Sequence, residues 1–330
     1  MLKVGVAGVG RWGRNVLRNL VRHPGADVVA VFDPSPAGKE QAATIAPEAA
    51  LVESFDALLS AGVEAVAVCA AAETHYELAK AALRHGLPTF VEKPLALTVP
   101  QGEELAALAA ERNLPLLVGH VLRYHPALAA VLSAIESGEI GSVMHLHCTR
   151  TNFGRVRAVE NVLWSLAPHD ILNAVLVFGE WPERVACLAG ERVRPGIADF
   201  AQLNLSFPSG REAFIHLSWL DPLKRRELTV IGEQGMLHWN DTAGTVELHP
   251  NRAEPLTAAD GSAHTEHHSY ATRQLAIPDG EPLYREMDHF LACCEGRETP
   301  LGSGVEGLKI LKILAAADQS ATAKGIPITL

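Results

Sequence analysis

The sequence predicts an α/β domain with a doubly wound parallel sheet, followed by an α+β domain built on an open, mainly antiparallel sheet. Three observations carry this. A glycine signature, Gly8-Val9-Gly10-Arg11-Trp12-Gly13, lies between an apolar strand and a helix. Strand-like and helix-like stretches alternate as far as His120, the rhythm of a parallel sheet with crossover helices. Beyond His120 come short runs of alternating polarity separated by turn residues, the pattern of hairpins. Residues 1–120 are therefore expected to bind a dinucleotide, and residues 121–330 to bind substrate and to mediate oligomerisation.

In the first domain, Leu2 to Ala7 is a buried strand, and a helix follows from about Arg11 to Arg22 with Val16, Leu17, Leu20 and Val21 at helical spacing. Gly8 permits a tight turn, Gly10 lets backbone approach a pyrophosphate, and Gly13 lets helix pack on strand. Arg11 and Trp12 lie in the same turn, where the helix N-terminus offers N–H groups to phosphate. The strand Val28 to Phe32 ends in Asp33, about 20 residues after the last glycine, as a ribose-binding carboxylate should. A carboxylate there repels a 2′-phosphate, and Pro34-Ser35-Pro36 offers no arginine, so NAD is expected rather than NADP. Val63 to Ala70 is a strand whose end, Ala70 and Ala71, has side chains small enough for a dinucleotide to lie against backbone. Thr74 with Glu77, and Thr98 with Gln101, read as capping boxes. Leu87 to Val91 is a strand that delivers Glu92-Lys93-Pro94 to the carboxyl rim of the sheet, where open α/β sheets bind ligands. Leu114 to Val118 is the last strand.

In the second domain a helix from about Pro126 to Ser137 precedes strand candidates at Ser142–Arg150, Arg184–Gly190, Phe200–Phe207, Ala213–Trp219, Glu227–Ile231, Met236–Trp239 and Thr245–Leu248. One sheet face needs helices and the other a second cover, so a homo-oligomer, dimer or tetramer, is expected through this sheet. His264, His267 and His268 lie in a polar stretch without carboxylate or cysteine spacing, read as a strandless loop and not a metal site. Leu283 to Glu295 and Val305 to Lys324 are amphipathic helices expected to pack the ends of the chain together.

Composition bounds the rest. A chain of 330 residues with 48% hydrophobic and 20% charged residues is an ordinary globular protein of two domains. A net charge of −10 without a basic cluster points away from nucleic acid. No apolar run reaches the roughly 18 residues that span a bilayer. The chain enters a strand directly, so no leader is expected. Five scattered cysteines (Cys69, Cys148, Cys187, Cys293, Cys294) suit reduced thiols in the cytoplasm, with no disulfide frame and no zinc site.

With Glu92-Lys93-Pro94 and Arg123-Tyr124-His125-Pro126 added to the glycine signature, the chain resembles the Gfo/Idh/MocA family of NAD(P)-dependent oxidoreductases over nearly its whole length. The resemblance implies a dehydrogenase of a secondary ring hydroxyl on a sugar or cyclitol, with Glu92 and Lys93 at the cofactor. It implies that Lys93 orients the reacting hydroxyl and that His169, at the histidine position of a DxxxH motif, exchanges its proton. Ser165 stands where many members carry aspartate, so an aspartate relay is not carried over. His169 is expected at the start of a helix running to Gly179, with Lys93 and His169 converging on one nicotinamide face. The segment Thr151 to Trp164 resembles members acting on nucleotide sugars, UDP-N-acetylglucosamine 3-dehydrogenases among them. Asn152, Arg155, Arg157 and Trp164 are then candidate contacts to diphosphate and ring, the arginines by bidentate hydrogen bonding. Arg123 and Tyr124 are substrate contacts or packing residues. A dehydrogenase of a free sugar or inositol, and a non-catalytic NAD(P)-sensing regulator, are the alternatives.

Overall fold

Strand β1 (Leu2–Ala7) runs into the glycine turn and helix α1 (Gly13–Arg22) in the computed structural model, which describes residues 1–154, 156–157, 159–257 and 262–330. There follow β2 (Ala26–Phe32), α2 (Pro36–Ile45), β3 (Ala50–Val52), α3 (Phe55–Leu59), β4 (Ala65–Val68), α4 (Ala72–Arg84), β5 (Thr89–Glu92), α5 (Val99–Glu111) and β6 (Leu116–Gly119). The six strands form one sheet in the order β3-β2-β1-β4-β5-β6, with every pairing parallel. The order reverses direction beside β1, and this switch point is where doubly wound sheets hold ligands. Thr98 caps α5 by accepting from the Gln101 N–H. The capping box at Thr74 does not form. Helix α4 starts earlier, capped at Ala71, and the Thr74 hydroxyl donates to the Ala71 carbonyl at 2.8 Å.

The chain continues through α6 (Pro126–Glu136), β7 (Val143–Phe153), α7 (Val162–Phe178), β8 (Arg184–Gly190), β9 (Phe200–Ser206), β10 (Glu212–Ser218), β11 (Leu220–Gly232), β12 (Gly235–Asn240) and β13 (Thr245–His249). Then come β14 (Arg252–Thr257), β15 (Ala263–His268), β16 (Arg273–Gln274), α8 (Pro282–Cys294), α9 (Gly304–Thr322) and β17 (Ile328–Thr329). The second sheet has nine strands in the order β16-β13-β12-β11-β7-β10-β9-β8-β17, and β10 with β7 is its parallel pair. Helix α7 packs on β7, β9 and β10, and α6 on β12 and β13. The histidine stretch read as strandless is instead β15. It pairs with β14, placing His267 opposite Ala253 and His268 opposite Arg252, because local backbone pairing prevails over polar composition. Among the described residues no group of three or more histidines, cysteines or acids could hold a metal.

Two compact units result: Met1–Tyr124 with Gly280–Lys312, and His125–Asp279 with Ile313–Leu330. In the first unit, α8 completes the core. Its Leu283, Met287, Phe290 and Leu291 join Val4, Val6, Val16, Leu17 and Phe90, with the Phe90 and Phe290 rings 5.8 Å apart. Each such large side chain contributes about 1.5–3 kcal/mol on burial.

Candidate active site

The first unit is built to receive a dinucleotide. Gly8 has φ +94°, and a Cβ there would stand 2.5 Å from the backbone of Ala70, so the tight turn tolerates no side chain. A Cβ on Gly13 would lie 2.1 Å from the Gly8 carbonyl oxygen, so α1 sits directly against the turn. A Cβ on Gly10 would meet nothing within 4 Å, which suits a position that must let a pyrophosphate reach the backbone. Helix α1 has no side-chain cap at Trp12. The Arg14 and Asn15 N–H groups of its first turn bond back to the Gly10 and Trp12 carbonyls at 3.2 and 2.7 Å, and the positive end of the helix dipole faces the glycine turn, where an anion is favoured.

Asp33, after β2, is buried. Its Oδ2 accepts from the Val9 N–H at 2.6 Å, and its Oδ1 accepts from the Ser35 N–H and hydroxyl at 2.8 and 2.7 Å. Burial pushes this carboxyl up, but the Ser35 and Val9 donors and the Lys39 charge outweigh it and hold Asp33 below the usual range. It is thus a fixed negative charge at the end of β2, matched to ribose hydroxyls and hostile to a 2′-phosphate. The residues present fit NAD.

Lys93, half-buried, follows β5 and is held on both sides. On one side Glu92 accepts the indole N–H of Trp12, from the glycine turn, and the backbone N–H of Lys93 at 3.1 Å. Burial raises Glu92 to about 7, against the pull of Lys93 and the two donors. On the other side the Pro94 carbonyl lies 2.8 Å from Nδ1 of buried His75, whose Nε2 is 3.1 Å from the Ala70 carbonyl. The peptide between Lys93 and Pro94 is cis. Two residues not foreseen from the sequence sit in the same unit. Glu286 of α8 is fully buried, and burial first, then Glu92, pushes its carboxyl well up. His120, after β6, is buried, and burial with Arg123 and Lys93 lowers it to about 3, so its imidazole is neutral. Glu286 was legible as an acid on the apolar stripe of Leu283, Met287 and Phe290. His120 carried no such signal.

In the second unit His169 lies mid-helix in α7, not at its start, because α7 begins at Val162 under an Asn161 cap. Ser165 and His169 are four residues apart and share a helix face. The next residue, Asp170, was also unforeseen. It is buried and takes a bidentate bond from Arg150 of β7, both distances 2.7 Å. Among the other predicted contacts, Asn152 accepts from Arg226 at 2.8 Å and Trp164 donates its indole N–H to Asp318 at 2.6 Å. Arg157 pairs with Glu160, and Arg155 lies outside the described residues. In the first unit, Arg123 pairs with Glu306 at 3.0 Å and the Tyr124 hydroxyl donates to the Leu301 carbonyl at 3.2 Å. The structure therefore ties Trp12, Glu92 and Lys93 to one another and gives Asn152, Trp164, Arg157, Arg123 and Tyr124 partners of their own.

Comparison with known proteins gives the family to which this fold belongs. Residues 2–120 match a family model described as an oxidoreductase family with an NAD-binding Rossmann fold, and residues 128–238 match the GFO/IDH/MocA C-terminal domain. An inositol 2-dehydrogenase of Rhizobium meliloti is 26% identical over 98% of each chain. A UDP-N-acetylglucosamine 3-dehydrogenase of Acidithiobacillus ferrooxidans is 25% identical over 94% of each. The crystal structure of an inositol dehydrogenase homolog from Azotobacter vinelandii, complexed with NADH and myo-inositol, has the same fold. Its TM-score is 0.82 at 18% identity, over 100% of this chain and 97% of that one. With both of its domains matched and a dinucleotide turn fitted to NAD, the chain belongs to the GFO/IDH/MocA family of NAD-dependent oxidoreductases.

Proposed function

We propose that this oxidoreductase oxidises a secondary ring hydroxyl of a nucleotide sugar, at C3 in the leading reading. The observation that carries the dehydrogenase chemistry is the placement of Lys93 at the carboxyl end of β5, tied through Glu92 and Trp12 to the dinucleotide turn. Asp33 binds the ribose hydroxyls through its remaining lone pairs, while Gly8, Gly10 and Gly13, with Ala70 and Ala71 behind them, shape the phosphate turn. Bound NAD supplies the acceptor for the hydrogen and electron pair lost from carbon. Lys93 donates a hydrogen bond to the substrate oxygen and stabilises charge developing there. His169 takes the hydroxyl proton, a task suited to an imidazole, and it does so without a carboxylate at position 165.

The nucleotide-sugar reading rests on Arg155 and Arg157, on Asn152 and Trp164, and on the UDP-N-acetylglucosamine relative. Arg123 and Tyr124 serve as supporting substrate contacts. A free inositol is the second reading, favoured by the Arg157–Glu160 pair, which occupies one arginine, and by the inositol relative. Helices α6 and α7 pack on the second sheet, whose other face is the surface proposed for a homo-oligomer, and free cysteines among the described residues suit a cytoplasmic enzyme.

The test is turnover with NAD on a panel of UDP-sugars, free sugars and inositols, followed by NADH absorbance. Lys93→Ala should lower kcat by about a hundredfold or more while leaving NAD affinity nearly intact. Arg155→Ala/Arg157→Ala should raise KM for a UDP-sugar and leave inositol unaffected. Unchanged turnover in Lys93→Ala would remove that residue from the mechanism.

A further inference from the structure

Glu92 and Glu286 are two buried carboxyls of the first unit, close enough for the charge of Glu92 to bear on Glu286, and the hydride and proton transfers above assign neither a protonation state. Glu92 ends β5 at 8% exposure and Glu286 lies on α8 at 0%. Two such groups in apolar surroundings do not both ionise. Their neighbourhoods differ in what they offer a charge. Glu92 receives two N–H donors, the Trp12 indole and the Lys93 backbone, and has the Lys93 cation beside it. Its carboxyl packs against the Cα of Gly119, where a Cβ would stand 3.1 Å away. Neither Glu286 oxygen has a hydrogen-bond partner among the described residues, and the nearby His120 backbone N–H donates to the Val118 carbonyl at 2.8 Å.

The other titratable groups around the pair do not change this division. The Cys69 thiol, after β4, is buried, and the Tyr124 hydroxyl donates to the Leu301 carbonyl. The imidazole of His120 is neutral. Donors and a neighbouring cation therefore favour charge on Glu92, and their scarcity favours a proton on Glu286.

We propose that Glu286 keeps the pair's proton and that Glu92, carrying its charge, is a positioning residue for Lys93. It ties the lysine's strand end to Trp12 in the dinucleotide turn and supplies the counter-charge beside the ammonium. The inference rests on the reading of Lys93 as the group that holds the substrate oxygen. It makes the phosphate-binding turn and the reactive lysine one mechanical unit, joined through an indole and a carboxylate.

Tryptophan emission tests the pair without turnover. The difference between the wild-type protein and Trp12→Phe isolates the indole that Glu92 accepts. Scanned from about pH 4 to about pH 9, it should show one transition with its midpoint at or below neutrality. Glu92→Gln should abolish that transition, and Glu286→Gln should leave its midpoint within a few tenths of a unit. In turnover, Glu92→Gln should cost about tenfold to a hundredfold in kcat and leave KM for NAD within about threefold. A Trp12 signal that does not titrate, or a midpoint lowered by a full unit in Glu286→Gln, overturns the proposal. So does a Glu92→Gln enzyme with the wild-type kcat. Should Glu92→Gln fail to fold, the wild-type, Trp12→Phe and Glu286→Gln scans still decide. Full turnover in Lys93→Ala would sink the functional reading while leaving the emission transition in place, so the two failures are distinguishable.

Discussion

Gly8 and Gly10 sit two residues apart in one turn and answer to different demands. Gly8 is required by the fold, since its φ of +94° and the backbone of Ala70 at 2.5 Å from a Cβ both exclude a side chain. Gly10 has room, so the fold alone does not require glycine there. Gly8→Ala should therefore lower stability by more than about 1 kcal/mol and weaken NAD binding with it. Gly10→Ala should melt close to the wild type yet bind NAD at least about tenfold more weakly, a contrast read by thermal unfolding and by titration calorimetry. Glu286 makes a second residue-scale prediction. A carboxyl pushed up by burial favours the fold at low pH, and that contribution is lost as pH rises above the ordinary value of 4.5. Glu92 adds the same trend only up to about 7, and His120 acts in the opposite sense below 6.5. Above about pH 7, where Glu92 no longer contributes, the wild type should lose stability as pH rises, with a slope that Glu286→Gln flattens, as read from urea midpoints. Equal slopes in the two proteins would show Glu286 to be ordinary.

At the scale of elements, α7 shows how a catalytic candidate is held. An Asn161 cap starts the helix, Gly179 with φ +69° ends it, and the Arg150–Asp170 pair fastens its middle to β7. His169 precedes Asp170 directly, so the fastening also sets the rotation of the helix about its axis. Removing one partner of a buried ion pair leaves the other uncompensated. Asp170→Ala should thus cost about 3–5 kcal/mol, measured by chemical denaturation, with Asp170→Asn intermediate. The sequence predicts a helix here that starts near His169, whereas α7 starts at Val162. The apolar run Val162-Leu163 belongs to α7, and the Asn161 cap, rather than the polar segment before it, sets the boundary. At β15 polar composition conceals a strand, whose partner is β14.

For the whole molecule, cofactor binding should appear as stability. NAD at a hundredfold excess over its Kd should add about 2.7 kcal/mol. Hydrogen exchange should slow in the glycine turn, after β2 and at the end of β5, while Gly10→Ala at the same concentration gains little. Uniform protection across both units, or none in the first, would contradict the placement of the dinucleotide turn. The alternation of strands and helices, the glycine signature, Asp33 and the strand-end lysine were all legible in the chain, because each depends on periodicity or on residues close in sequence. That the C-terminal helices pack the ends of the chain together was legible too, and α8 does return to the first unit; the partners of Glu92, Asp170 and Trp164 were not. These depend on which side chains distant in the chain come within bonding distance. By itself the sequence determined an NAD-binding α/β domain followed by a sheet domain, since local propensity and spacing suffice for that. Only the tertiary structure decided which carboxyls are buried, which are bonded and which must keep a proton, because desolvation is a property of the surroundings and not of the residue.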